Sequence, residues 1–172
     1  YGSAGNGSAG HLAMEYLKMV SNTFMLHVPY RGTGPMLTDL MAGRLQAASV
    51  GAPALLSLIK AGKLRCIGTG TAQRLPQLPD VPTVAEQGFA GFEMTQWYGL
   101  LAPRKWAPAH LAKLEAEAVK ATRGALVKDK LAQETALAVG NSSAEFAQFI
   151  ATEQKRWSQV IARAQIKPEG MG

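Results

Sequence analysis

The sequence predicts an α/β fold in which helices flank a parallel sheet. In the first half of the chain, short apolar runs alternate with segments of helical period, and the connections between them are short. Hydrophobic residues make up 47% of the 172 residues, which is enough for a packed core. No apolar run approaches the roughly 18 residues that a membrane span requires.

The first predicted elements follow a glycine-rich loop at residues 1–10, which we expect to lie between a strand absent from this chain and a helix. Apolar residues at helical spacing then predict helices, and compact β-branched or aliphatic runs predict buried strands. In chain order we expect a helix at 11–20, a strand at 24–28, a helix at 35–41, a strand at 45–50, a helix at 53–60 and a strand at 64–69.

Residues 72–92 are rich in proline and glycine and are therefore predicted to form a loop. Within it, Thr83 and Glu86 have the spacing of a capping box, which predicts a short helix closed by Gly88. The next stretch, 93–102, is expected to be extended.

Beyond this stretch the pattern favours long helices. Pro108 is typical of a helix start, and Ser142 with Glu145 forms a second capping-box pattern that opens a helix through residue 166. Residues 137–139 are the one short strand candidate. We therefore predict a ligand-binding α/β lobe at 1–92, a crossover strand or hinge at 93–102, and at 103–172 the helical C-terminal portion of another lobe whose N-terminal half is absent.

The helices of the C-terminal portion carry apolar faces that need a surface to pack against. We expect a homodimer partner or a separate N-terminal half to cover them. The residues concerned are Leu111, Leu114, Val119, Phe146, Phe149, Ile150, Trp157 and Val160.

Charge and cysteine content narrow the function classes. Lys and Arg exceed Asp and Glu by 18 to 12, but the basic residues are scattered and no aromatic residues alternate with them, so we expect no nucleic-acid partner. The single cysteine, Cys66, lies in an apolar run and is interpreted as a buried hydrophobe. It excludes an internal disulfide.

No catalytic or metal-binding pattern is found. His11, His27 and His110 lack the spacing of metal ligands, and neither a G-x-S-x-G elbow nor a P-loop lysine is present. We therefore predict no enzyme, no metal and no cofactor.

The segment from Gly5 to Gly10 matches G-x-G-x-x-G, and three interpretations remain open. It could bind a nicotinamide nucleotide, although no acidic residue follows at the distance such a site favours; Arg31 would have to face a 2′-phosphate. It could bind an anion such as a carboxylate through main-chain N–H groups and the hydroxyls of Ser3 and Ser8. It could also be a tight turn without a ligand.

Six ordered motifs resemble the substrate-binding proteins of tripartite tricarboxylate transporters, also called the Bug or TctC-like family. The resemblance covers nearly the whole chain. The motifs are YGSAGNGSAGHLAMEYL (1–17), HVPYRGTGPMLTDLMAGRL (27–45), IKAGKLRCIG (59–68), RLPQLPDVPTVAEQG (74–88), WYGLLAP (97–103) and EQKRWSQVIARAQIKPE (153–169).

The resemblance implies the C-terminal half of a two-lobed, periplasmic-binding-protein-like (type II) fold. It implies a periplasmic, non-catalytic protein that captures a small organic carboxylate and delivers it to membrane transporter subunits. By this resemblance the ligand-binding residues are Ser3, Ala4, Gly5, Asn6, Gly7 and Ser8, followed in rank by Tyr30, Arg31 and Gly32.

The sequence departs from the family pattern in two respects. Gln46 and Val50 stand where the family commonly has aspartate residues, and without a carboxylate at 50 a ligand ammonium has one acceptor fewer. Plain carboxylates are therefore expected rather than amino acids. The family's first half, with the facing loop of the other lobe, is absent, so a non-binding truncated fragment remains an alternative to the binding protein and to the nucleotide-dependent oxidoreductase.

Overall fold

The structure is a computed structural model that describes residues 1–167. The end of the last sequence motif, residues 168–169, lies outside the described residues. The chain divides into two compact units, one formed by Tyr1–Gln96 with the described residues from Arg156 to Lys167 and the other by Trp97–Lys155. The lobe limits derived from the sequence, at 92 and 103, stay a prediction.

A small parallel sheet organises the first unit. Strand β1 (Gly2–Ser3) pairs in parallel with β2 (Val28–Pro29), and the Val28 N–H donates to the Tyr1 carbonyl over 2.9 Å. The expectation that the strand before the glycine loop is absent from this chain was therefore wrong. On β1 the Gly2 N–H donates to the Ala47 carbonyl over 3.0 Å, in a parallel bridge with Ala48. Because successive residues of a strand direct their main-chain groups to opposite sides, β1 lies between β2 and the segment around residue 48.

Helices connect these parallel segments, as the alternating pattern predicts. Helix α1 (Ala9–Ser21) links β1 to β2 and ends at Asn22, which takes the left-handed conformation (φ 50°). Helix α2 (Thr33–Met41) links β2 to the segment around residue 48. The α/β fold with a parallel sheet and flanking helices is therefore confirmed.

The strands are much shorter than the sequence suggests, and four predictions need correction. Only residues 28–29 of the second strand region pair as a strand, whereas 45–50 and 64–69 each contribute one isolated bridge and 137–139 forms no strand. A strand requires a hydrogen-bonded neighbour along its length, and β1 offers only two residues. The helix predicted at 53–60 is α-helical only in part: the segment consists of a 3₁₀ turn (Ala52–Ala54) followed by α3 (Leu56–Lys60).

The proline-rich loop contains the predicted capping box. The Thr83 N–H donates to Glu86 Oε2 over 2.6 Å, and the Glu86 N–H donates to Thr83 Oγ1 over 3.1 Å. A 3₁₀ turn (Ala85–Gln87) follows and ends at Gly88, whose φ of 106° favours glycine. These reciprocal bonds fix the loop beside Thr69, which forms an isolated parallel β-bridge with Thr83.

Helices dominate the rest of the chain. They are α4 (Pro108–Arg123), α5 (Ala125–Gln133) and α6 (Ser143–Ala164). Pro108 occupies the first position of α4, as predicted, and the second capping box is present: the Ser142 N–H donates to Glu145 Oε2 over 2.8 Å. In the second unit, Trp97 meets Phe146 and Phe149 edge-on, with ring centroids 5.6 and 5.4 Å apart.

The core lies in the first unit, where Met36 is 0% exposed and Val160 is 2% exposed. Tyr16 of α1 stacks on Phe92 at 4.7 Å and meets Trp157 of α6 edge-on at 6.0 Å. The end of α6 therefore packs on the first unit, and Val160 is already covered. The expectation that every residue of the apolar faces requires a partner was wrong for Val160.

Candidate anion-binding site

The glycine loop, residues 4–8, lies at the carboxyl end of β1. Because β1, β2 and the segment around residue 48 are parallel, residues 30–32 and 49–51 leave the sheet at the same edge. The chain passes from β1 to β2 on one side and then crosses to the segment on the other side of β1. Open α/β sheets bind ligands at such a reversal, outside the carboxyl ends of the strands. The loop is placed where the sequence predicts it.

The glycines of this loop have separate physical roles. Gly5 and Gly7 have φ values of 127° and 72°, which side chains strongly disfavour. Gly10 has an ordinary conformation, but a Cβ there would collide with the Ser49 carbonyl oxygen. The first two glycines therefore shape the loop, and the third allows α1 to approach the segment after residue 48.

Ser8 is the N-cap of α1. Its Oγ accepts from the His11 N–H over 3.3 Å, so the hydroxyl proton stays available for another acceptor. Within residues 1–167, the N–H groups of Asn6, Ala9 and Gly10 have no hydrogen-bond partner. The first turn of α1 contains no acidic residue. The free donors and the positive end of the helix dipole together favour an anion at this edge.

Ser3 supports the glycine loop from its buried side. Its side chain is completely buried, and Oγ lies 2.7 Å from His27 Nε2. It accepts from the Gly5 N–H over 3.2 Å and lies 3.1 Å from the Gly5 carbonyl. The hydroxyl thus has internal partners, and its single proton is shared between the Gly5 carbonyl and His27.

Two stacked histidines complete this support, and sequence reasoning missed their role. The His11 and His27 rings lie 3.9 Å apart, and Tyr1 stacks on His27 at 4.9 Å. His11 Nδ1 accepts from the Gly7 N–H over 3.0 Å. The signal in the sequence was the offset between Ser8 and His11, because the third residue of a helix can reach back to the preceding turn.

The surroundings of the stack favour neutral imidazoles. Burial, with a smaller contribution from positive charge on His11, lowers the pKa of His27 to about 4, although Glu15 opposes both effects. Burial also lowers the pKa of His11, again against the influence of Glu15. Burial would raise the pKa of Glu15, but hydrogen bonds from Lys18 and Tyr1 outweigh it and the pKa is lowered. Lys18 Nζ and the Tyr1 hydroxyl both donate to Glu15 Oε1 over 2.6 Å.

Residues 30–32 border the loop but offer a ligand fewer free hydrogen-bond donors. The Tyr30 N–H donates to the Ser3 carbonyl over 3.0 Å, and its hydroxyl donates to Asp39 Oδ2 over 2.8 Å. That bond raises the pKa of Tyr30, while Arg44 and Tyr30 together lower the pKa of Asp39. Gly32, with φ 107°, precedes α2, and the Arg31 side chain is exposed.

Neither a metal site nor a membrane-spanning helix is found in the part of the chain that the structure describes. Residues 1–167 contain no group of three or more His, Cys, Asp or Glu side chains able to hold a metal ion. No described helix combines the length and apolarity needed to cross a bilayer. Cys66 is half-buried, and its thiol lies 3.6 Å from the Gly68 carbonyl.

Residues 1–166 match the family model described as tripartite tricarboxylate transporter family receptor. The chain belongs to this family. The match covers the glycine loop, the stacked histidines and the six α-helices found within residues 1–167, so family membership and the parallel-sheet architecture agree.

Two relatives illustrate how much of a tricarboxylate transporter receptor the chain covers. A UPF0065 protein in the tcbD-tcbE intergenic region of a Pseudomonas species is 36% identical over 162 residues, which are 94% of this chain and 48% of that protein. A UPF0065 protein in the clcB-clcD intergenic region of Pseudomonas knackmussii is 34% identical over 159 residues, 92% of this chain and 94% of that protein. The chain thus spans about half of the first relative and nearly all of the second.

Solved structures of similar receptors have carboxylates in their names. R. palustris Rpa4515 with adipate has a TM-score of 0.84 and 33% identity, covering 98% of this chain and 56% of that one. MatC from Rhodopseudomonas palustris with bound malate has a TM-score of 0.76 and 29% identity, covering 93% and 55%. Both similarities confirm the periplasmic-binding-protein-like fold.

Proposed function

We propose that this receptor chain binds the carboxylate group of a small organic acid at the glycine loop. It would act in the periplasm as the ligand-binding part of a solute-binding protein, without catalysis, and would deliver its ligand to the membrane subunits of a tripartite tricarboxylate-type transporter. The observation that carries the proposal is the set of free N–H groups at the start of α1, located at the carboxyl ends of parallel strands.

Within the loop, the donors divide into two groups. Asn6, Ala9 and Gly10 offer unpaired main-chain N–H groups, and Ser8 offers a hydroxyl proton. Ser3, Gly5 and Gly7 hold these donors in place through the bonds described above. Ala4 joins Ser3 to Gly5 in the supporting part of the loop.

The same donor set accounts for the kind of ligand. Main-chain N–H groups recognise a carboxylate without reading the rest of the molecule, so adipate and malate, named for two similar proteins, are suitable test ligands. Val50 follows the bridged segment at this edge and provides no acceptor for an ammonium group. We therefore expect plain carboxylic acids to bind better than amino acids.

Thermal unfolding with added ligands tests this function. A panel of dicarboxylates, tricarboxylates and aromatic acids should include members that raise the Tm, because a ligand that binds only the folded state stabilises it. Adipamide, which has the same carbon chain as adipate without its charge, is the matched control and should leave the Tm unchanged. A rise with NADPH and none with any carboxylate would favour a nucleotide-dependent enzyme instead.

The second lobe of a two-lobed ligand-binding cleft would have to come from another chain segment. Extended parts of the second unit expose large apolar side chains: Tyr98 is 86% exposed, Leu101 74% and Leu137 88%. Such exposure is unusual in a soluble monomer. We propose that an N-terminal half of the receptor covers them; a homodimer is the alternative outcome.

A further inference from the structure

His11 takes the position in the cap of α1 that glutamate or glutamine usually occupies. In a capping box the N-cap hydroxyl accepts from the N–H of the third helical residue, and the side chain of that residue accepts from the N-cap N–H. In this chain the side chain accepts from the N–H one residue before the N-cap instead. Here Ser8 Oγ accepts from the His11 N–H, and His11 Nδ1 accepts from the Gly7 N–H. The imidazole therefore satisfies a main-chain donor of the glycine loop.

The identity of this acceptor matters for an anion. A glutamate would place a negative charge within a few ångströms of the free N–H groups of Ala9 and Gly10. It would repel a ligand carboxylate bound to those groups, and the repulsion is strong where water is partly excluded. A neutral imidazole fixes the same loop N–H without that charge. The first turn of α1 contains no acidic residue.

The environment of His11 holds it in this role. It is 5% exposed and stacked on His27, whose Nε2 lies against Ser3 Oγ at the other end of the loop. Because Nδ1 accepts from Gly7, the neutral ring carries its proton on Nε2. Glu15 and Lys18 pair with each other nearby.

We propose that His11 is a positioning residue: it holds the glycine loop in its anion-binding conformation while keeping the start of α1 free of negative charge. The inference rests on the proposed carboxylate site and deepens it. His27 supports His11 from below by stacking and by fixing Ser3.

Three variants of the full chain test this role. His11→Gln keeps a neutral acceptor, His11→Glu has nearly the same shape with a charge, and His11→Leu removes the acceptor. Adipate affinity is measured by calorimetry at pH 7.5, and hydrogen exchange of the Gly7 amide reports the loop without any ligand. We expect glutamine to retain affinity within about threefold and glutamate to lose at least about tenfold. The His11→Leu variant should lose affinity for adipate, and its Gly7 amide hydrogen should exchange at least about tenfold faster than in the wild-type chain.

The outcomes separate the inference from the proposed function. If the wild-type chain binds no dicarboxylate, the carboxylate site itself is contradicted. If it binds adipate but the glutamate and glutamine variants bind equally well, the role of His11 is overturned. If the glutamate variant fails to fold, the test rests on the His11→Gln and His11→Leu variants. Equal adipate affinity and equal exchange of the Gly7 amide in these two variants would overturn the inference.

Discussion

The imidazole rings of His11 and His27 stack with their centroids 3.9 Å apart and their planes 11° from parallel. Two cations at this separation would repel each other, and burial lowers the pKa of both groups, that of His27 to about 4. The fold thus holds both rings neutral, whereas the unfolded chain protonates them near pH 6.5.

Stability should therefore fall on acidification. Between about pH 6.5 and pH 4 the unfolded state binds more protons than the folded state, so the histidine contribution is fully present above pH 6.5 and is lost as the pH falls. We expect the Tm to drop across this window and His27→Gln to make the drop smaller. His110→Gln, at an exposed position on α4, is the matched control and should leave the profile unchanged. A His27→Gln profile identical to wild type would contradict the assignment.

Ser8 should contribute more to carboxylate binding than Arg31. Ser8→Ala removes a hydroxyl donor beside the free N–H groups and is expected to cost roughly 1 to 2 kcal/mol of binding, whereas the exposed Arg31 can turn into solvent. Calorimetry with adipate measures both variants. Ser8→Gly separates binding from helix capping, since glycine costs only a few tenths of a kcal/mol at an N-cap. A larger loss for Arg31→Ala than for Ser8→Ala would reverse the assignment.

Gly10→Ala should destabilise the first unit. The added Cβ would collide with the Ser49 carbonyl, and overpacking against main chain typically costs about 1 to 3 kcal/mol. Gly34→Ala in α2 is the control, because its Cβ meets open space and alanine favours a helix by up to about 1 kcal/mol. Denaturant unfolding should show opposite signs for the two variants. A neutral Gly10→Ala would mean that α1 can move away from residue 49.

The exposed apolar side chains should make the isolated chain associate. Burying a large apolar side chain yields about 1.5 to 3 kcal/mol, so several exposed ones favour a partner. Light scattering is expected to show a dimer, or a complex once an N-terminal half is added, and hydrogen exchange in α4 and α5 should slow on association. A stable monomer in which these helices are already fully protected would contradict the half-receptor interpretation.

Local sequence rules predicted the features that depend on neighbouring residues. The capping boxes at Thr83 and Ser142 and the start of α4 at Pro108 are present because each needs only a few residues in one turn. The position of the glycine loop also followed from the order of the elements.

Features that depend on distant residues could not be predicted in this way. The strand at 45–50 was wrong because an apolar run does not reveal whether a hydrogen-bonded neighbour is available. The stack of His11 on His27 joins residues from different elements, and the burial of Val160 depends on where the end of α6 packs. Spacing along the chain contains neither piece of information.

The most direct test of the carboxylate site is an amide chemical-shift titration of the full chain with adipate, with adipamide as the uncharged control. We expect saturable shifts concentrated in residues 4–10, largest for the unpaired N–H groups of Asn6, Ala9 and Gly10, and none with adipamide. Equal shifts with both compounds, or shifts confined to residues outside the glycine loop and the neighbouring strand ends, would contradict binding of a carboxylate at the start of α1.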